Sequence, residues 1–140
     1  MATSFEDVHG ELADEHREIM GLVDSIRAER QVGALPRMLE ELHRLLIDHF
    51  AHEQFPGGLY ERMGARASAN EELLKELVRE HCTILSDVRG LLERSQLVID
   101  ADAEGAFLSQ VQSTTQTLLD HEQKEHRLVE RVKQQKGVAP

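Results

Sequence analysis

Apolar residues recur at intervals of three and four along four segments of the chain, the spacing that places side chains on one face of an α-helix. The pattern predicts four helices, over about residues 4–30, 36–54, 69–95 and 102–135. Pro36 suits the first turn of the second helix, and Pro56 followed by two glycines should end it. One short helical turn is expected in the connection that follows, around Leu59 to Met63.

The fold predicted from these segments is all-α, since good helix formers dominate and the alternation typical of strands is absent. Amphipathic helices joined mostly by short loops favour an antiparallel, up-down-up-down four-helix bundle formed by one domain over residues 1–140. Thr3 or Ser4 should cap the first helix, and Ser68 with Glu71 should form a capping box for the third.

Charge narrows the range of partners. The formal net charge of −10 disfavours binding to nucleic acid or to an anionic membrane surface, because both depend on clustered lysine and arginine. No apolar run approaches a membrane span, and the acidic N-terminus does not resemble a secretory signal, so a cytoplasmic location is expected. The single cysteine, Cys82, excludes an intrachain disulfide and is expected to be buried and inert.

Polar residues interrupt the apolar stripe of every helix, and each interruption includes a histidine. On the second and fourth helices a glutamate follows the histidine by four residues, so that both side chains share one face. The interrupting residues are His16, His49, Glu53, His81, His121 and Glu125.

These six residues are predicted to lie at one depth in the bundle. In an antiparallel hairpin, residues equidistant from the connecting loop lie at the same level. His16 and His49 are equidistant from the first loop, and His81 and His121 from the last. Glu53 and His81 are related in the same way across the middle connection. A lone histidine on an apolar face is usually a hydrogen-bonded core residue, but six coincident polar residues favour a site.

A metal centre would satisfy this polar layer. Each buried polar group without a partner costs a few kcal/mol, against a net stability of about 5–15 kcal/mol for a domain. Four imidazoles and two carboxylates exceed one tetrahedral zinc site, and nitrogen and oxygen ligands without thiolate suit iron, with manganese or zinc as alternatives. Two six-coordinate ions would retain about one open position each, which favours chemistry over purely structural binding.

The whole pattern resembles the hemerythrin-like HHE cation-binding domain. The matching pieces are "DEHREI" at His16, "HFAHEQFP" at His49 and Glu53, "REHCTIL" at His81, and "HEQKEHRL" at His121 and Glu125. The resemblance covers about residues 5 to 133. It implies an oxo- or hydroxo-bridged centre of two non-haem iron ions with glutamate bridges, inside an antiparallel four-helix bundle.

The chain departs from the oxygen-carrying members of that family. They use HxxxH on the third helix and HxxxxD on the fourth, whereas Leu77 and Leu85 flank His81 here and His126 replaces the aspartate. The four-histidine, two-glutamate variant looks more similar to bacterial relatives in iron–sulfur-cluster repair and nitric oxide handling, and to the iron-sensing domain of an F-box protein. His52 and His126 are further candidates for a ligand or for a residue supporting one.

Three other residues near the predicted ligands carry weaker expectations. Glu15 and Glu80 each precede a ligand histidine and are expected to face solvent, with a hydrogen bond that supports a ligand as the alternative. Tyr60 lies in the middle connection, and its expected role is either packing or control of access to the site.

Several functions fit such a centre. The first is binding or reaction with a small oxidant or diatomic (O2, NO or H2O2) in oxidative or nitrosative stress defence. The alternatives are iron or oxygen sensing, iron storage or delivery, and a metal-free structural bundle. Metal content separates the last from the others, with about two iron ions per chain expected for the first.

Overall fold

The computed structural model describes residues 5–55, 57–63, 69–98 and 100–138, with side chains described from residue 8 to residue 134 of those ranges. The described residues form helices and turns, with no strand among them, which confirms the all-α prediction. The helices are α1 (Phe5–Ala28), α2 (Leu35–Gln54), the short α3 (Leu59–Arg62), α4 (Glu71–Ser95) and α5 (Ala101–Val138), with a 3-10 turn at Val32–Ala34 before α2.

The predicted capping residues need one correction. Asn70 occupies the N-cap position of α4 and makes no side-chain hydrogen bond to the helix, so Glu71 is the first helical residue rather than the third. The predicted partner Ser68, like Thr3 and Ser4 at the first helix, lies outside the described residues.

A glycine turn after α2 returns the chain toward the bundle. Gly57 has a φ of +86°, a conformation that side chains rarely adopt. A Cβ on Gly58 would lie 2.3 Å from the backbone oxygen of His52, so only glycine fits against the end of α2. The Gly58 N–H donates to the Phe55 carbonyl at 2.8 Å. This tight turn begins α3 close to the end of α2 and buries Leu59 and Tyr60.

The long helices pack in the order α1 on α2, α2 on α4 and α4 on α5, while α1 and α5 contact each other over a shorter stretch. The short α3 rests on α1 and α2. The α1–α5 seam is therefore the more open side of the bundle.

The apolar core is divided in two. The larger cluster is built mainly from the second half of α1, most of α2, the second half of α4 and the first half of α5, and includes Ile26, Leu39 and Val88. The smaller cluster joins α3 to the other ends of α1, α4 and α5, and includes Leu12 and Leu128. On α1, α4 and α5 the polar residues predicted from the sequence fall between the two clusters. On α2, which contributes only to the larger cluster, His49 and Glu53 lie in the last two turns of the helix.

Two further findings concern the surface. Cys82 is exposed, so the expectation of a buried cysteine was wrong: it lies next to His81 but on the outer side of α4. No helix in the described part of the chain is long and apolar enough to cross a membrane.

Candidate metal centre

Three histidines point their Nε2 atoms into the polar layer. His49, His81 and His121 are each 1% exposed. The Nε2 atom of His49 lies 3.2 Å from one Glu53 carboxylate oxygen, and that of His81 lies 3.1 Å from the other. The His121 Nε2 atom is buried without a hydrogen-bond partner. One glutamate from α2 thus faces imidazoles from two helices.

The other ring nitrogen of each of these histidines, Nδ1, contacts a side chain at the border of the polar layer. Nδ1 of His49 contacts Glu15 Oε1 at 3.1 Å, and Nδ1 of His121 contacts Glu80 Oε1 at 2.8 Å. A carboxylate accepts hydrogen bonds only, so Nδ1 carries the proton and Nε2 keeps its lone pair for the interior. Glu15 and Glu80, 33% and 23% exposed, therefore do not simply face solvent as predicted.

His81 is fixed in the same way by an amide. Its Nδ1 donates to Gln54 Oε1 at 2.5 Å, and its ring stacks on Phe50 with 3.9 Å between centroids. Burial and the neighbouring His121 lower the pKa of His81 to about 3. The ring is thus neutral at neutral pH, the form that binds metal.

The carboxylates of Glu53 and Glu125 are buried at the centre of the layer. Burial raises the pKa of both above the usual range. The contact between the two groups raises the pKa of Glu125 further and partly offsets the effect of burial on the pKa of Glu53. The Tyr60 hydroxyl donates to Glu125 Oε2 at 2.8 Å and lies 3.3 Å from His81 Nε2. Two adjacent buried carboxyl groups without a cation must retain protons, whereas a cation would stabilise them as anions.

The potential ligand atoms form two groups that share Glu125. In one group, atoms of Glu53, His81, His121 and Glu125 all lie within 4.8 Å of one another. In the other, atoms of His49, Glu122 and Glu125 do so. The Glu125 carboxylate is therefore available to a metal ion in either group.

Unsatisfied buried atoms also favour a bound cation. His16 Nε2, His49 Nε2, His121 Nε2 and Glu122 Oε1 are buried without a hydrogen-bond partner. Leaving such atoms unpaired costs about 1–3 kcal/mol each, and more for charged groups. All four atoms carry lone pairs and converge on one layer. A metal ion needs such donors, so the side chains present here suit a bound metal ion.

The structure brings five of the six sequence-predicted ligands into the two groups: His49, Glu53, His81, His121 and Glu125. The sixth, His16, lies at the edge of the layer with its side chain 41% exposed, and its Nε2 atom is 2.9 Å from Glu122 Oε2. Its ring stacks on that of His49 with 6.3 Å between centroids.

The two further candidates lie outside this set. His52 is exposed and its Nδ1 contacts Glu15 Oε2 at 2.7 Å, so it shares the carboxylate that holds His49. His126 is exposed and lines a cavity beside His16.

Glu122 was not among the residues predicted from the sequence, although its spacing gave a signal for it. Glu122 stands three residues before Glu125 and four after Leu118, so helical spacing places it on the same inward face. It is 6% exposed, and burial raises its pKa above the usual range.

A cavity connects this edge of the polar layer with the surface. It has a volume of about 200 Å³ between α1 and α5 and is lined by His9, His16, His49, Glu122, Glu125 and His126, together with apolar residues such as Leu12. A small molecule could reach the polar layer by this route.

Comparison with known proteins agrees with this geometry. A family model described as the hemerythrin HHE cation binding domain matches residues 7–131. No curated protein and no solved structure matches the chain.

Proposed function

The chain belongs to the family of hemerythrin HHE cation-binding domains, and we propose that it is a non-haem di-iron protein that binds or reacts with a small oxidant or diatomic: O2, NO or H2O2. The observation that carries the proposal is the pair of ligand groups that share Glu125. We place the activity in oxidative or nitrosative stress defence, in an up-down-up-down bundle whose consecutive long helices run antiparallel.

In this proposal the six residues predicted from the sequence hold the ions. His16 and His49 bind one ion, and His81 and His121 bind the other. The carboxylates of Glu53 and Glu125 bridge the two. The contacts of Glu53 with imidazoles on both sides, 3.2 Å to His49 and 3.1 Å to His81, support its bridging role.

Iron is the ion that this donor set favours. The site offers imidazole nitrogen and carboxylate oxygen without thiolate, and it offers more donors than a tetrahedral zinc ion uses. When bound, iron supplies reversible electron transfer and open coordination positions. The protein supplies neutral imidazoles, a buried layer between two apolar clusters, and the cavity by which small molecules enter.

Tyr60 is proposed to orient the bridge and to offer a proton. Its hydroxyl is buried and donates to Glu125 Oε2 at 2.8 Å, on the side of the layer where His81 lies. The glycine turn at Gly57 and Gly58 begins α3 close to the end of α2, which places the buried Tyr60 within reach of Glu125.

Metal analysis and spectroscopy test the function. We expect about two iron ions per chain after anaerobic loading with Fe2+, and visible charge-transfer bands when H2O2 or NO is added to the reduced protein. The matched variants are Glu53→Gln, which removes one bridge, and Glu18→Gln, which removes one exposed carboxylate of α1. Only Glu53→Gln should lose the bands.

Other results would assign a different role. One zinc ion per chain, or none of any metal, would overturn the di-iron proposal. Two iron ions with no spectral change for any of the three small molecules would refute the reaction and leave sensing, storage or delivery, with iron release under mild reduction as the property to measure next.

A further inference from the structure

We propose that Glu122 is a seventh ligand, a terminal carboxylate on the ion of His16 and His49, and that the open coordination position therefore lies on the ion of His81 and His121. The inference rests on the proposed pair of ions and deepens it. It concerns a residue outside the two pairs in which a glutamate follows a histidine by four positions.

The contacts of Glu122 are those of a ligand. Its Oε2 atom lies 2.9 Å from His16 Nε2, and its Oε1 atom is buried without a hydrogen-bond partner. Atoms of Glu122, His49 and Glu125 lie within 4.8 Å of one another. A nitrogen that lies this close to a carboxylate without a hydrogen-bond partner, beside a second oxygen that also has none, is the arrangement expected around a shared ion.

Charge balance supports the same role. Two divalent ions carry four positive charges, of which Glu53 and Glu125 offset two. A buried cluster with residual charge is costly, because ions lose hydration that only neighbouring opposite charges replace. Glu122 offsets a third charge, and its position beside His16 and His49 places that compensation on one ion.

Counting donors then distinguishes the two ions. The ion of His16 and His49 receives those two nitrogens, Glu122 and the two bridging carboxylates, which makes five protein donors. The ion of His81 and His121 receives two nitrogens and the same bridges, which makes four. For equal six-coordinate ions, the greater vacancy lies on the His81 side, where the Tyr60 hydroxyl is 3.3 Å from His81 Nε2.

The test compares Glu122→Gln with Asp120→Asn. Asp120 is exposed on the same turn of α5 and contacts Gln116, so its variant removes one charge without touching the polar layer. Binding of Co2+ and of Fe2+ is measured anaerobically by calorimetry and by native mass spectrometry. We expect Glu122→Gln to weaken one of the two binding steps by more than about 100-fold, beyond the loss of about 10–100-fold for a residue that only supports a ligand, while Asp120→Asn changes neither step.

Double variants identify which of the two ions Glu122 binds. Glu122→Gln with His81→Ala should bind no ion tightly, because each change weakens a different half of the site. Glu122→Gln with His16→Ala should still retain one ion, because both changes affect the same half.

The outcomes separate this inference from the proposed function. Failure of the wild-type protein to bind two ions would overturn both. Two ions in Glu122→Gln, with both affinities within about threefold of wild type, would overturn only the role of Glu122. Circular dichroism checks folding; if Glu122→Gln does not fold, Glu122→Asp decides, since a shortened carboxylate ligand must weaken one step and an unchanged pair of steps refutes ligation.

Discussion

The two halves of the polar layer differ in how firmly their histidines are held. His81 and His121 are almost fully buried, and both have Nδ1 fixed by a neighbour, Gln54 or Glu80. On the other half, His49 is equally buried, but its anchor Glu15 also contacts the exposed His52, and His16 is 41% exposed beside the cavity.

One side of the site, at His81 and His121, is therefore buried, whereas the other side, at His16, is accessible from the cavity. We expect the half formed by α4 and α5 to be the more rigid, because both of its rings are buried and each has its Nδ1 atom fixed by a neighbour. The half formed by α1 and α2 lies at the seam where α1 and α5 contact over a shorter stretch. We therefore expect metal exchange to begin at the His16 side, although the vacancy for a small ligand lies on the His81 side.

Removal of the metal should give the largest effect and affect both halves. At a hundredfold excess over Kd each ion adds about 2.7 kcal/mol, so two ions add about 5 kcal/mol. For a chain of this size that corresponds to a fall in Tm on the order of 20 °C on chelation. The fall in Tm is measured by thermal unfolding, monitored by circular dichroism, with and without a chelator. Equal Tm values would contradict a metal site that stabilises the fold.

Replacement of one histidine in each half should separate the two halves in the metal-free protein. His81→Ala removes a buried ring that stacks on Phe50 and Tyr60 and should lower the free energy of unfolding by about 2–4 kcal/mol. His16→Ala removes a half-exposed ring and should cost about 1 kcal/mol or less. Urea unfolding of both apo variants tests this order, and equal losses would remove the distinction between a rigid and an open half.

The anchoring carboxylates should matter less than the ligands. Glu80→Gln should weaken metal binding about 10–100-fold, since a glutamine fixes the His121 tautomer less firmly. Glu15→Gln should have a smaller effect within that range, because the half it supports is more open. The control is Glu76→Gln: Glu76 shares Lys124 with Glu80, at 2.7 Å from Nζ, but is not a partner of His121. A loss of affinity in the control equal to that of Glu80→Gln would assign the effect to Lys124 instead.

The metal-free protein should lose stability as the pH rises above neutrality. Burial raises the pKa of Glu53 and Glu122 from 4.5 to about 8. Between these values the folded protein holds protons that the unfolded chain has released, so the free energy of unfolding falls with rising pH. The lowered pKa of His81 acts only below about pH 6.5, where the unfolded chain gains a proton that the folded protein excludes.

The range from pH 6.5 to 8.5 therefore isolates the carboxyl groups. We expect Tm of the apo protein to fall by several degrees across it. The metal-induced rise in Tm should grow over the same range, because ions bind the deprotonated carboxylates. A Tm of the apo protein that rises with pH in this window would show that these carboxyl groups are ionised without metal.

Replacement of His52 should have the smallest effect. His52→Ala leaves Glu15 free to hold His49 and should change metal affinity less than threefold and leave the stoichiometry at two. Loss of one ion in this variant would make His52 a ligand, which its exposed position and its contact with Glu15 do not favour.

Helical spacing was sufficient to predict the inward face of each helix, and so most of the layer. The positions of His49, Glu53, His81, His121 and Glu125 follow from periodicity alone, because an amphipathic helix has one rotation that buries its apolar stripe.

The supporting contacts depend on finer geometry than spacing contains. Glu15 and Glu80 lie at the border of the buried face, where small rotations of a helix decide between solvent and a neighbouring ring. Glu122 differs from them, since its spacing from Leu118 and Glu125 places it on the inward face. Tyr60 reaches Glu125 only because Gly57 and Gly58 turn the chain back over the layer, and the path of such a connection is not given by periodicity.

The divided core gives the metal a role in the cooperativity of the whole fold. In the apo protein, the smaller cluster around Leu12, Leu77 and Leu128 is separated from the larger one by protonated carboxyl groups and by imidazole rings whose Nε2 atoms lack hydrogen-bond partners. Such a region opens locally at a lower free energy than the rest, and its amide hydrogens exchange sooner. Ions that bind side chains from all four long helices would join the two clusters, so that both ends exchange only when the whole protein unfolds.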